Sequence, residues 1–74
     1  MDIQIKLFAT LREGRGKIVT KEFPPAATPR QVIETLQISE EDVAILLVNG
    51  QDGSLDQELH DQDVLSIFPP VGGG

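Results

Sequence analysis

The groups in this chain that could do chemistry are few, and they collect at one end. The sequence Phe68-Pro69-Pro70-Val71-Gly72-Gly73-Gly74 closes on three glycines and a carboxylate. Pro69 and Pro70 fix φ and have no N–H, so they stop strand pairing and hold the backbone extended. Glycine has no Cβ, so Gly72, Gly73 and Gly74 can pass through a channel too narrow for any other residue. The residues beyond Phe68 span at most roughly 20 Å when extended. That is far enough to carry a carboxylate into the active site of another protein. Fraying is the plainer reading of three terminal glycines. The stiff Pro-Pro step directly after an apolar run favours the reach.

Little other chemistry is available. Cysteine is absent, which removes disulfides, thiolate nucleophiles, zinc–cysteine sites and iron–sulfur clusters together. Tyr and Trp are also missing, and His60 is the one histidine. It has no Cys or evident Ser partner for a triad and sits in a polar stretch, so it reads as solvated. Asp61 with Asp63, or Glu40 with Glu41 and Asp42, lack the ligand count of a calcium loop. They read as solvated acidic faces, and no metal site is expected. Gly14-Arg15-Gly16 is too short for a phosphate-binding loop and lacks its Gly-Lys-Ser/Thr ending.

The net charge of −6 is unevenly spread. Residues 1–37 hold all six bases against four acids, a balance of +2, and residues 38–74 hold eight acids and no base, a balance of −8. Nucleic acid and anionic membranes should be repelled. An acidic flank near the tail would steer the chain towards a basic partner surface, with an on-rate that falls as salt rises. At 74 residues a single small domain is expected. No apolar run approaches a membrane span and no secretory leader is recognisable, so a soluble, cytoplasmic protein is expected.

The elements that must carry the tail follow from periodicity. Ile3, Ile5 and Leu7 alternate with Asp2, Gln4, Lys6 and Phe8, a half-buried strand with odd positions inward and Phe8 on the outer face. A loop over residues 9–16, with Leu11 beneath it, leads into a return strand over residues 17–23. Pro24-Pro25 ends that strand. Thr28-Pro29-Arg30-Gln31 opens a helix with a capping box and proline at its first position. Val32, Ile33 and Leu36 form its apolar stripe. Residues 43–48 are six apolar residues in succession, the pattern of a well-covered strand. Asn49-Gly50 and Asp52-Gly53 are turn signals. Residues 54–62 are polar, pinned by Leu55 and Leu59, with room for a short strand. Residues 64–68 form the last strand, with Leu65 and Ile67 inward and Phe68 outward.

One amphipathic helix can cover only one face of a sheet. The predicted fold is therefore α+β: a mixed sheet of four or five strands with one main helix on one face, the β-grasp or ubiquitin-like roll. The domain is expected over residues 1–68 and a flexible tail over residues 69–74. If the first and last strands are neighbours, Phe8 and Phe68 form an exposed apolar patch at the root of the tail, a common mark of an interface.

With these residues in view, the chain resembles the MoaD/ThiS family of ubiquitin-like sulfur carriers, on the side of the small subunit of molybdopterin synthase. The likeness runs through Ile5-Lys6-Leu7-Phe8-Ala9-Thr10-Leu11-Arg12-Glu13, Leu47-Val48-Asn49-Gly50, Leu59-His60-Asp61-Gln62-Asp63-Val64 and the ending from Phe68 to the last glycine. The ending is its specific part. Three positions depart from the family pattern: Gly72 where a small side chain is usual, Gln62 in place of a turn glycine, and Asp52 where some members carry an apolar contact.

The resemblance implies that the Gly74 carboxylate is adenylated and then converted to a thiocarboxylate, with Gly73 beside it in the partner's active site. It implies docking through Phe8, Arg12 and Phe68, with Pro69, Pro70, Val71, Gly72 and Gly73 threaded into the partner. The expected partners are a ubiquitin-activating-type adenylyltransferase, the large subunit of molybdopterin synthase, and a sulfur donor protein or sulfide. No bound cofactor is expected; ATP and Mg²⁺ would be used by the activating partner. Without cysteine the chain cannot carry sulfur as a persulfide, which leaves Gly74. The Pro-Pro-Val element favours the pterin branch over thiamine. A tungsten pterin, another sulfur-requiring pathway, a modifier joined to lysines through Gly74, and a non-covalent adaptor remain as alternatives.

Overall fold

The computed structural model describes residues 1–70. Its strands are β1 (Asp2–Leu7), β2 (Ile18–Glu22), β3 (Ile45–Val48), β4 (Gln51–Asp52) and β5 (Val64–Phe68), with one α-helix, α1 (Pro29–Thr35). Short 3₁₀ turns cover Ala9–Arg12 and Glu40–Asp42. The five strands form one mixed sheet in the order β2-β1-β5-β3-β4. β1 and β5 run parallel at its centre, and the other neighbours are antiparallel. This is the expected β-grasp.

The alternation in β1 sends Ile3, Ile5 and Leu7 into the core, and Leu65 and Ile67 of β5 lie opposite Ile5 and Leu7. Val32 and Ile33 of α1 close over them, with Leu11, Phe23, Ile38, Leu46 and Leu59 filling the margins. A fully buried Ile or Leu contributes about 1.5–3 kcal/mol, so the central pair of strands dominates the core.

The helix begins as its sequence dictates. The Thr28 hydroxyl accepts from Gln31 N–H at 3.4 Å while Gln31 Oε1 accepts from Thr28 N–H at 2.9 Å, and Pro29 opens the first turn. Its end carries no sequence signal of the usual kind. Gln37 takes φ +60° where glycine is common, Ile38 N–H bonds Ile33 C=O at 2.8 Å, and Gln37 N–H bonds Glu34 C=O at 3.1 Å. This is a Schellman cap. Arg15, from the loop after β1, donates to Leu36 C=O, Gln37 C=O and Leu11 C=O. It supplies the cation that the helix C-terminus otherwise lacks.

Two expectations change. The apolar run over residues 43–48 is not covered on both faces: the strand spans Ile45–Val48, only Leu46 is buried, and Ile45 is 49% exposed. With one helix on one face, the alternate side chains of β3 come out on the open face. The short strand lies at Gln51–Asp52, ahead of the polar stretch where it was expected. Asn49 (φ +52°) and Gly50 (φ +81°) make the two-residue turn that pairs Val48 with Gln51, a geometry that requires positive φ at both positions. Gly53 follows because a Cβ there would meet Val48 Cγ2 at 2.8 Å. Gln62 has φ +72°, which accounts physically for the usual glycine at that turn.

Candidate docking face and tail root

Because β1 and β5 are parallel and paired as far as Leu7 and Ile67, the next residue on each, Phe8 and Phe68, falls at the same edge of the sheet. Strand parity turns both onto the open face. Their rings stack with centroids 4.1 Å apart and planes 11° from parallel. The 3₁₀ turn then brings Arg12 back over the pair. Its guanidinium carbon lies 5.3 Å from the Phe8 centroid, and its Nε donates to Leu7 C=O at 2.8 Å. A guanidinium over a ring within about 6 Å is a cation–π contact. The structure therefore brings Phe8, Arg12 and Phe68 together into one surface.

Ladder pairing in β5 stops at Phe68, where the prolines begin. The Phe68 carbonyl accepts the last bond, from Ala44 N–H at 2.8 Å. Pro69 is half-buried and Pro70 exposed. Together they form a ridge between two open grooves. One, of about 360 Å³, is lined by Phe8, Ala9, Ala44, Ile45, Phe68 and the prolines. The other, of about 390 Å³, is lined by Thr10, Leu11, Arg15, Ile38, Asp42 and the same prolines. Val71, Gly72, Gly73 and Gly74, which carry the expected chemistry, lie outside the described residues.

Ile45 and Ala44 belong to this face and were not singled out from sequence. Their signal lay in the register: Ile45 pairs with Phe68, so it shares the outward parity of the phenylalanines. Ala9, at φ +52°, turns the chain sharply between Phe8 and Arg12. Charge flanks the face with both signs. Asp42 lies on the far side of the proline ridge, whereas Lys6, Arg12 and Lys17 lie on the β2 side. Arg15 lines the same groove as Asp42, so the described residues around the tail root form no purely acidic flank.

The remaining acids and His60 have structural places. The His60 side chain is 82% exposed. Asp63 is nearly buried, accepting from Asn49 Nδ2 at 2.9 Å and from His60 N–H at 2.8 Å. Val64 N–H donates to Asn49 Oδ1 at 2.9 Å. Arg30 holds Asp56 at 2.9 Å and Glu40 at 3.0 Å. The Arg30 bonds keep the Asp56 carboxyl below its ordinary pKa, and the Asp2 N–H does the same for Asp61. Among the described residues no group of three or more His, Asp or Glu is placed to hold a metal ion, and no helix is long and apolar enough to cross a membrane.

Comparison with known proteins gives a consistent picture. The family model described as ThiS family matches residues 5–74. A search of curated protein sequences returns no match. Among solved structures, SAMP1 from Haloferax volcanii is 25% identical, with all of both chains covered and a TM-score of 0.80. A protein assigned as molybdopterin converting factor subunit 1 from Pyrococcus furiosus is 30% identical over 96% of this chain and 99% of that one, with a TM-score of 0.78. In the Helicobacter pylori complex of molybdopterin-converting factor subunits 1 and 2, the matching chain is 21% identical, is covered fully in both directions and has a TM-score of 0.65. That likeness shows the fold alone.

Proposed function

The chain belongs to the ThiS family of ubiquitin-like sulfur carriers, and from that premise we propose that it carries sulfur as a thiocarboxylate on Gly74 for the synthesis of molybdopterin. The observation that supports this reading best is the placement of the stacked Phe8 and Phe68 rings directly beneath the prolines from which the Gly-ended segment departs. The stacked rings and the two prolines that begin the tail then share one end of the central strands. The similarity to the Pyrococcus furiosus protein supports the pterin branch. In the Helicobacter pylori complex a chain of this fold is paired with subunit 2, and a large subunit of that kind is the partner this reading entails.

The chemistry asks little of this chain beyond access. A terminal carboxyl, with a reference pKa of about 3.5, is ionised at neutral pH and is a poor acyl donor. In the activating partner a Gly74 carboxylate oxygen attacks the α-phosphorus of ATP, and pyrophosphate leaves as Mg²⁺ neutralises the phosphates. A sulfur nucleophile then attacks the Gly74 carbonyl carbon. AMP departs with the activated oxygen, and sulfur takes its place. Phe8, Arg12 and Phe68 dock, and Pro69, Pro70, Val71, Gly72 and Gly73 lead the carboxylate inward.

Intact mass after incubation with ATP, Mg²⁺, sulfide and the host's adenylyltransferase tests this. A gain equal to one oxygen exchanged for sulfur is expected, and an unchanged mass overturns the reading. Deleting Gly74, or replacing Gly73 by valine, should abolish adenylation while the domain stays folded by circular dichroism. Full thiocarboxylation of either variant would refute the threading role.

The similarity to SAMP1, a small archaeal modifier protein, favours a second reading in which Gly74 is joined to lysines of other proteins. Covalent adducts that survive denaturation in cell extract, and that disappear with Gly74, would support it.

A further inference from the structure

The second exposed feature of the sheet is its β2 edge. β2 is the outermost strand, with five residues, no proline and four of the five exposed. Leu7 N–H bonds Lys17 C=O, and Phe23 N–H bonds Met1 C=O, both at 2.8 Å, on either side of the β1–β2 register. Alternation in an antiparallel ladder therefore turns residues 17, 19, 21 and 23 towards β1. The N–H and C=O groups of Ile18, Thr20 and Glu22 point away from the sheet. The opposite edge, β4, offers only two residues.

Charge makes this edge different from the rest of the surface. Arg30 is held by Asp56 and Glu40, and Arg15 is spent on three carbonyls. The other four cations are Lys6, Arg12, Lys17 and Lys21. Among the described residues none of them has a carboxylate within 4.0 Å. All four lie on β1, β2 or the loop between them. Lys6, Arg12, Lys17 and Ile18 line a groove of about 280 Å³ where β2 begins, and Ile18 is 54% exposed. In a chain of net charge −6, the unpaired positive charge is thus gathered beside an unpaired hydrogen-bonding edge.

We propose that the free edge of β2 is a docking site for an extended, acidic segment of a partner polypeptide, which joins the sheet as a sixth strand. Its backbone pairs with Ile18, Thr20 and Glu22, its carboxylates meet Lys17 and Lys21 on the helix side of the sheet, and its alternate apolar side chains rest on Ile18 on the open face. Main-chain bonds supply affinity in such strand addition and the alternating side chains supply selectivity. The proposal does not depend on the tail chemistry: the groove where β2 begins adjoins the candidate docking face through Phe8 and Arg12, but the backbone groups of Ile18, Thr20 and Glu22 belong to neither that face nor the proline ridge.

The test uses ¹⁵N-labelled full-length protein titrated with an octapeptide alternating valine and aspartate. Saturable shifts and slowed amide exchange are expected at Ile18, Thr20 and Glu22, with Gln51 and Asp52 unchanged. A peptide alternating valine and lysine, and an aspartate peptide with N-methylated amides, should not bind. The Lys17→Glu/Lys21→Glu variant, altered only at exposed side chains, should weaken binding by about tenfold or more. Thr20→Pro removes one outward N–H, leaves the pairing with β1 intact, and should also weaken it. The proposal is overturned if the aspartate peptide leaves β2 unshifted, if the lysine peptide binds equally well, or if both variants bind undiminished. The last two results would reduce the edge lysines to guards against aggregation.

Discussion

Phe8 has a structural place and a proposed docking role, and a single substitution can separate them. Its ring stacks on Phe68 and underlies Arg12, yet it is only half-buried, so the fold depends on it less than on Ile5 or Leu65. Phe8→Ala should lower stability by about 1–3 kcal/mol, a lost aromatic pair together with the burial of a half-exposed ring. That loss leaves nearly all molecules folded if overall stability is ordinary, at about 5 kcal/mol or more. The apparent KM for adenylation should nevertheless rise at least about tenfold, because a central aromatic anchor contributes most when its pocket is desolvated by a partner. Urea midpoints and initial rates on the same preparation decide the matter. A rate loss no larger than the unfolded fraction would make the stack a structural feature only.

At the scale of elements, two of the stretches that carried the family resemblance, residues 47–50 and 59–64, prove to be bonded to each other. Asn49, at the β3–β4 turn, gives its amide N–H to Asp63 and takes the Val64 N–H, while its own backbone N–H reaches Val64 C=O at 2.8 Å. The start of β5 is thereby set against the end of β3, and with it the position of Phe68. Asn49→Ala loses both side-chain bonds and the tolerance for φ +52°, and should cost about 2–4 kcal/mol. Asn49→Gly keeps the backbone freedom and should cost less, which separates the two contributions in chemical denaturation. At the helix end, Gln37→Gly should stabilise by about 0.5–1 kcal/mol, since φ +60° strains a side chain and suits glycine. An unchanged or lower urea midpoint would count against that cap assignment.

These same elements mark what could be read from sequence. The capping box, the alternation of β1 and the outward parity of Phe8 and Phe68 are local patterns, and local patterns survive folding. The exposed Ile45 was not legible, because an unbroken apolar run does not say how many faces will be covered. Nor was Arg15 at the helix terminus, 21 residues from Leu36, or Asn49 against Asp63, 14 residues apart. Those partnerships exist only once the strand order is set. The exposed apolar face was legible as its two phenylalanines and was completed by register, which placed Ile45 beside Phe68.

At the scale of the whole molecule, charge sets the response to pH, and two effects oppose each other. The acid-rich half repels itself at neutral pH, so protonating unpaired carboxylates relieves strain as pH falls towards about 4. Asp61 and Asp56 act the other way. Their folded pKa values lie below the ordinary one, through the Asp2 N–H and the Arg30 guanidinium respectively. A carboxyl depressed in the folded state contributes stability above its unfolded pKa and loses it as pH falls through the folded value. Both groups are exposed, so each loss is small. The Asp61 bond ties Asp2, at the start of β1, to the turn before β5, across 59 residues. The urea midpoint should therefore hold or rise slightly down to about pH 4 and fall below it. In Asp61→Asn, where an amide oxygen still accepts from Asp2 but cannot titrate in this range, the fall should be shallower. An acid limb identical in the two proteins would show that the Asp61 bond has no linked proton, leaving Asp56 and charge repulsion to shape the curve.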